Sequence, residues 1–175
     1  MQRTRSDPRH HIRLARAGDA EAITRIYNAG IAERSATFET QPRTVAQIEQ
    51  RLHLLERYPL LVAEDASGSV VGWAGVAEYR PRECYAGIAE FSIYLDRAAR
   101  GQGTGKALLG ALVDAAAQRG FWKLVSRIFP FNTASRSLCR ACGFREVGIY
   151  ERHAQLDGRW LDAVIVEKLI DRQAS

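Results

Sequence analysis

The stretch DRAARGQGTGKALLGAL, residues 96–112, constrains the fold more than any other part of the chain. Gly101, Gly103 and Gly105 alternate inside a basic run, and a helical pattern begins directly after them. Glycines spaced in this way let the backbone curl so that successive N–H groups point into one concavity. The positive end of the following helix adds to the attraction for an anion. Arg97, Arg100 and Lys106 bring further positive charge. The natural occupant of such a turn is a phosphate, and the plain alternative is a strand-to-helix turn with no ligand.

Two nucleotide loops fail on residue identity. A Walker A loop needs G-x-x-x-x-G-K-[ST], whereas Gly105-Lys106 is followed by Ala107, so the magnesium-binding hydroxyl is missing. A dinucleotide fingerprint needs G-x-G-x-x-G early in a βαβ unit, and GQGTGK has the wrong last spacing after four expected strands.

The periodicity around this turn predicts β-α-α-β-β-β-α-β-α-β-β. HIRLA (11–15) alternates as a strand, and a helix follows with Asp19 as N-cap and Ile23, Ile26, Tyr27 and Ile31 at helical spacing. TVAQIEQRLHLLERY predicts a second helix capped by Thr44, with Val45, Ile48, Leu52 and Leu55 on one face. PLLVAED and SVVGWAGVAEY predict a hairpin, and residues 85–96 a fourth strand that puts Ile88, Glu90, Ser92 and Tyr94 on one face. The third helix is expected from Lys106 to Arg119, closed by Gly120. WKLVSRIF is a fifth strand, NTASRSLCRACGF a short helix, and the last two strands meet at Asp157-Gly158. This is an α/β (α+β) domain with a central mixed, mostly antiparallel sheet of about seven strands flanked by four helices. Residues 1–10 are expected to form a flexible arm and residues 11–171 the single domain. Trp73, Trp122 and Trp160 are expected to be packing residues.

Composition narrows the function classes. The formal net charge is +5 with a pI near 9.4, but the arginines are scattered among acids, and the densest basic segment is Arg3, Arg5 and Arg9. That pattern suits an acidic small ligand better than nucleic acid. No apolar run approaches the roughly 20 residues that span a bilayer, and the N-terminal segment has no apolar signal core. Three cysteines do not suggest a disulfide framework, so a reducing cytoplasmic setting is expected. Cys139 and Cys142 form C-x-x-C without a second pair, and structural zinc takes four ligands, so no metal is expected.

The run Arg100 to Gly105, R-G-x-G-x-G between a strand and a helix, resembles the pyrophosphate loop of the GNAT superfamily of N-acetyltransferases, which bind acetyl-coenzyme A. The acid in the preceding strand, Asn132 and Ala134 after the fifth strand, and Gly143-Phe144 extend the resemblance over roughly residues 12–170. IYNAGIAERSATFETQPRT, RPRECYAGIAEFSIY and LDGRWLDAVIVEKLI are similar to the phosphinothricin N-acetyltransferase branch and its arsinothricin-resistance relatives.

The resemblance implies a set of roles. Glu90 would be the general base that takes the proton of the attacking amine. Its place in an apolar strand predicts burial, which raises a carboxylate's pKa. The backbone of Ile93, Tyr94 and Leu95 would hold the acetyl and pantetheine end of the co-substrate. Arg100, Gly101, Gln102, Gly103, Thr104, Gly105 and Lys106 would hold its pyrophosphate. Asn132 matches the family asparagine near the cofactor arm, and it is also a plain helix cap. Phe38, Arg82, Tyr85 and Ser92 match the branch's substrate residues. The helix position where relatives carry a tyrosine or histidine proton donor is Cys139, a departure from that pattern which reads first as a small buried apolar residue. The implied reaction is acetyl transfer from acetyl-CoA to the amine of phosphinothricin, methionine sulfoximine or arsinothricin, by a homodimer. Protein or peptide acetylation and non-catalytic acyl-CoA binding are the alternatives.

Overall fold

The computed structural model describes residues 10–170. Strand β1 is His11–Leu14, followed by helices α1 (Ala20–Ala32) and α2 (Val45–Leu52). Strands β2 (Leu60–Glu64), β3 (Val70–Glu78) and β4 (Ile88–Leu95) lead into α3 (Thr104–Gln118). Then come β5 (Lys123–Ile128), α4 (Thr133–Ala141), β6 (Arg145–Leu156) and β7 (Arg159–Leu169). The seven strands form one sheet in the order β1-β2-β3-β4-β5-β7-β6. Every pairing is antiparallel except β4 with β5, which the α3 crossover makes parallel.

The strand alternation sends two sets of side chains to opposite faces of this sheet. On one, Leu60, Val62 and Trp73 pack against Ile23 and Ile26 of α1 and Ile48 and Leu52 of α2. On the other, Ala74, Val76, Phe91 and Leu124 meet Leu108, Leu109 and Leu112 of α3, with Cys139 of α4 at the border. Each fully buried leucine contributes roughly 1.5–3 kcal/mol through removal of apolar surface from water. The hairpin turn is set by two left-handed residues, Asp157 (φ 48°) and Gly158 (φ 76°), the type I′ signature that matches strand twist.

Several local expectations need correction. The arm lies outside the described residues except for His10, which is buried with its ring 3.1–3.2 Å from Thr104 Oγ1. Asp19 precedes α1 but does not cap it. Its carboxylate is taken by the Arg13 guanidinium at 2.7 and 2.8 Å and by the Arg16 N–H at 2.8 Å. Thr44 does cap α2, in a reciprocal box with Gln47. That helix stops at Leu52, short of Leu55, because residues 53–58 tighten into turns ahead of Pro59, which disfavours helix at Tyr58. Trp73 is a core residue at 0% exposure, whereas Trp160 is 58% exposed on the outer hairpin.

Candidate active site

β4 and β5 begin as neighbours and then part. Their register runs only from Ile88↔Lys123 through Ala89↔Leu124 to Glu90↔Val125. On its other edge β4 stays paired with β3 as far as Leu95. The Ser126 hydroxyl bridges the first step of the opening by donating to the Phe91 carbonyl at 2.9 Å. Beyond it the strands enclose a cleft of about 660 Å³, lined by Phe91–Tyr94 on one side and Ser126–Phe129 on the other.

The backbone direction along β4 can be read from its partners. The carbonyls of Phe91 and Leu95 are both reached from the open side, by Ser126 and by the Arg100 side chain at 3.1–3.2 Å. In a strand the N–H and C=O of one residue point the same way, and alternate residues point oppositely. Ile93 therefore presents its N–H and C=O to the cleft, while those of Tyr94 face Trp73 in β3. Of the three backbone positions expected to bind, Tyr94 is turned away and the Leu95 carbonyl is already occupied.

Glu90 faces the cleft beside Ser92, but not in the apolar shell that its strand suggested. Its side chain is 29% exposed and ion-paired with Arg127 of β5, Nη2 to Oε1 at 2.5 Å. Both contacts from Arg127 go to Oε1; Oε2 has no hydrogen bond among the described residues. Arg127 was missed by sequence reasoning, although it is a charge inside a mostly apolar strand whose other charge, Lys123, stands at its start. His153 was missed as well. It reaches the cleft only because β6 shifts register between Tyr150 and Ala154, with Arg152 at φ 45° and its N–H on Asp162 at 2.8 Å.

The segment between α1 and α2 forms the cleft's lid. Asn28 holds it at one end through both backbone groups of Arg43, and Asn132 holds Ser35 at the other. Asn132 also caps α4 by accepting from Ser135 N–H at 3.1 Å, so its cap and cleft-lining places coexist. Phe38 stands in the lid edge-on to Phe129, ring centroids 4.8 Å apart. Arg82 and Tyr85 are not brought to this cleft. They line a separate depression of about 280 Å³ beside Ile88, at the opposite end of β4.

Below the cleft, the glycine turn has the conformation its spacing implied. Gly101 (φ 72°) and Gly103 (φ 85°) are left-handed, and no atom lies within 4 Å of a methyl group placed at Gly101. α3 starts at Thr104, two residues earlier than its apolar pattern indicated. The first N–H of this region to find a backbone carbonyl is that of Ala107, on Gly103. The N–H groups of Gly101 to Lys106 thus have no backbone acceptor among the described residues, and at a helix N-terminus such groups are available to an anion. Gly105 also serves packing: a methyl group placed there would lie 3.3 Å from Leu138 and 3.4 Å from Leu95. Arg100 adds no free charge to the cradle, because its guanidinium is paired with Glu33 through two 3.0 Å contacts.

Cys139 lines the cleft but is 2% exposed, and burial, reinforced by Cys142 and Glu146, pushes its thiol up to about 12. Proton transfer from it to a thiolate of ordinary pKa near 8.5 runs uphill.

The chain matches the acetyltransferase (GNAT) domain over residues 12–165. The chain belongs to the GNAT acetyltransferase family. Among relatives of this GNAT chain, the L-methionine sulfoximine/L-methionine sulfone acetyltransferase of Pseudomonas paraeruginosa is 35% identical over 91% of the chain and 94% of the relative. The phosphinothricin N-acetyltransferase of Alcaligenes faecalis is 35% identical over 90% of the chain and 81% of the relative. The GNAT phosphinothricin acetyltransferase of Sinorhizobium meliloti, solved in complex with AcCoA, superposes with a TM-score of 0.86 at 35% identity, covering 92% of this chain and 88% of that one. No helix among the described residues of this GNAT protein is long and apolar enough to cross a membrane.

Proposed function

We propose that the protein transfers the acetyl group of acetyl-CoA to the amine of a small acidic amino acid of the phosphinothricin or methionine sulfoximine kind, arsinothricin included. The observation that carries this reading is the meeting of a carboxylate with one free oxygen, Glu90 Oε2, and an outward backbone N–H, Ile93, in one cleft. The nest of N–H groups from Gly101 to Lys106 holds the pyrophosphate. The opening between β4 and β5 takes the pantetheine, where Ile93 supplies a missing strand partner. Only the backbone of Thr104 takes part, since its hydroxyl is turned to His10.

In the chemical step the amine nitrogen loses a proton to Glu90 Oε2, directly or through one water, and attacks the thioester carbonyl. Ile93 N–H donates to the carbonyl oxygen as negative charge develops there. The carbon–sulfur bond then breaks, coenzyme A leaves as the thiolate, and the second proton of the new amide nitrogen passes to that thiolate or to water. Arg127 keeps Oε1 fixed, so the free oxygen is the one aimed at the amine. Cys139 acts here as packing. Cys139→Ala is expected to change kcat by less than about tenfold, below the 10²–10⁴ range of a working proton donor, in a steady-state assay.

The enclosed lid carrying Phe38 favours a compact amine over a peptide. A second copy of the chain is part of this reading, seated on the exposed Ile149, Tyr150 and Trp160 of the β6–β7 hairpin. Thiol release from acetyl-CoA, measured across small acidic amino acids, peptides and polyamines, tests the proposal. Release with phosphinothricin or methionine sulfoximine and not with peptides is the expected result. Release with no amine sinks the enzyme reading, and release with peptides alone replaces the substrate class.

A further inference from the structure

Arg51, in the last turn of α2, occupies space that the sheet leaves empty. β3 carries Gly75 opposite Ser92 of β4. A methyl group at 75 would lie 2.9 Å from Arg51 Nη2 and 3.0 Å from Leu60. The guanidinium therefore stands where any side chain at 75 would stand, over Gly75 and beside Leu60 of β2. It also lies over the Trp73 ring, Cζ to centroid 5.0 Å, a stacking that suits the planar, weakly hydrated guanidinium.

This cation has no counter-charge among the described residues. Arg13, Arg25, Arg34, Arg100 and Arg127 are each paired with a carboxylate, but no carboxylate among the described residues pairs with Arg51, and no hydrogen bond among them reaches it. Burial pushes its pKa down, and the polar groups around it are the neutral hydroxyls of Tyr27 and Tyr94 and the guanidinium of Arg43. Arg43 itself is paired with Glu39 at 2.8 Å. Trp73 Nε1, in the same layer, is buried and also lacks an acceptor among the described residues. The layer between α2 and β3 is thus rich in donors and short of acceptors. An unpaired, mostly buried charge is costly unless a ligand completes it.

Its position relative to Glu90 says which ligand group fits. Glu90, Ser92 and Tyr94 share one face of β4, and the alternate pairs Glu90↔Ala77, Ser92↔Gly75 and Tyr94↔Trp73 follow one another along it. Same-face neighbours are about 7 Å apart along a strand. A carboxylate on the carbon next to an amine held within about 3 Å of Glu90 has one route along this strand face, past Ser92 toward Gly75; Arg51 does not itself line the cleft but neighbours Tyr27 and Tyr94, which do. A guanidinium fork is the natural partner of that carboxylate.

We infer that Arg51 anchors the carboxylate of the amino-acid substrate, over the gap made by Gly75 and beside Ser92. The inference rests on the amino-acid reading above and gives the anion role to α2 instead of to Arg82 and Tyr85, which line a different depression.

The test compares wild type with Arg51→Met on methionine sulfoximine and on the amine formed by removing its carboxylate. Arg51→Met is expected to raise KM for the amino acid by about 10–100-fold while leaving KM for acetyl-CoA and kcat/KM for the decarboxylated amine unchanged. Arg51→Lys keeps the charge without the fork and recovers part of the loss. The thermal midpoint of Arg51→Met is expected at or above that of wild type, since an unpaired charge is exchanged for an apolar chain. Equal loss on both amines, or no loss on the amino acid, overturns the inference. Calorimetric titration of methionine sulfoximine into protein saturated with coenzyme A reads the same subsite without any acetyl transfer. Binding by wild type that Arg51→Met abolishes supports the anchor even if turnover is absent. Equal binding by both proteins, or none by wild type, overturns it.

Discussion

Glu90→Gln is expected to lower kcat by about 10²–10⁴-fold near neutral pH, with KM for acetyl-CoA unchanged. Glutamine keeps the shape of the side chain and an acceptor oxygen, but it cannot carry away a proton. The amine is mostly protonated at neutral pH, so the variant must wait for the small fraction that is already free. The sign of the pH dependence follows. As pH rises toward the amine's own pKa, more of the amine is free without help, and the gap between variant and wild type narrows. A pH–rate profile of both proteins checks this. A constant gap at all pH values would point to lost geometry through Arg127 instead of a lost base, and full activity at neutral pH would remove Glu90 from the mechanism.

Gly30→Ala is expected to destabilise the protein, against the usual sign for this substitution. Inside a helix, alanine is better than glycine by about 1 kcal/mol. At this place in α1, however, the new methyl group would lie 2.5 Å from Tyr94 Cδ1 and 2.7 Å from Cε1. The Tyr94 ring cannot retreat, because it is stacked on Trp73 at 5.1 Å and held by Tyr27 at 4.8 Å. Overpacking of this kind costs about 1–3 kcal/mol, which exceeds the helix gain at all but its lower end. A net loss of about 1 kcal/mol lowers Tm by roughly 2–4 °C in a chain of this size. Because Tyr94 adjoins Ile93, any shift of the ring moves the backbone donor, and kcat is expected to fall with Tm. Calorimetry and a rate assay check both; a rise in Tm would show that the ring has room to move.

The element order was legible because its signals are local. Apolar periodicity, the Asp157-Gly158 turn and the glycine run each act within a few residues. Where two such signals competed, the boundary moved: Gly103 at φ 85° starts α3 at Thr104, before the apolar stripe begins. The site was legible in part. Alternation along β4 put Glu90 and Ser92 on one face, and both line the cleft. Alternation could not reveal what stands opposite them. Arg127, which removes the expected isolation of Glu90, arrives from 37 residues away. Arg82 and Tyr85 belong to a connection whose direction is set by packing, so similarity of sequence did not tell which depression they enter.

The parting of β4 from β5 creates a free strand edge in the middle of a sheet. A free edge at the rim of a protein is a hazard, because a strand from another chain can add to it. This one is fenced by α4 through Asn132, Ser135 and Cys139, and by the lid through residues 36–41. A second strand needs about 4.8 Å of lateral room and clearance for side chains on both faces, so walls on both sides of the edge stand in the way of such pairing. The proposed cofactor cleft is in this sense also a guarded sheet edge.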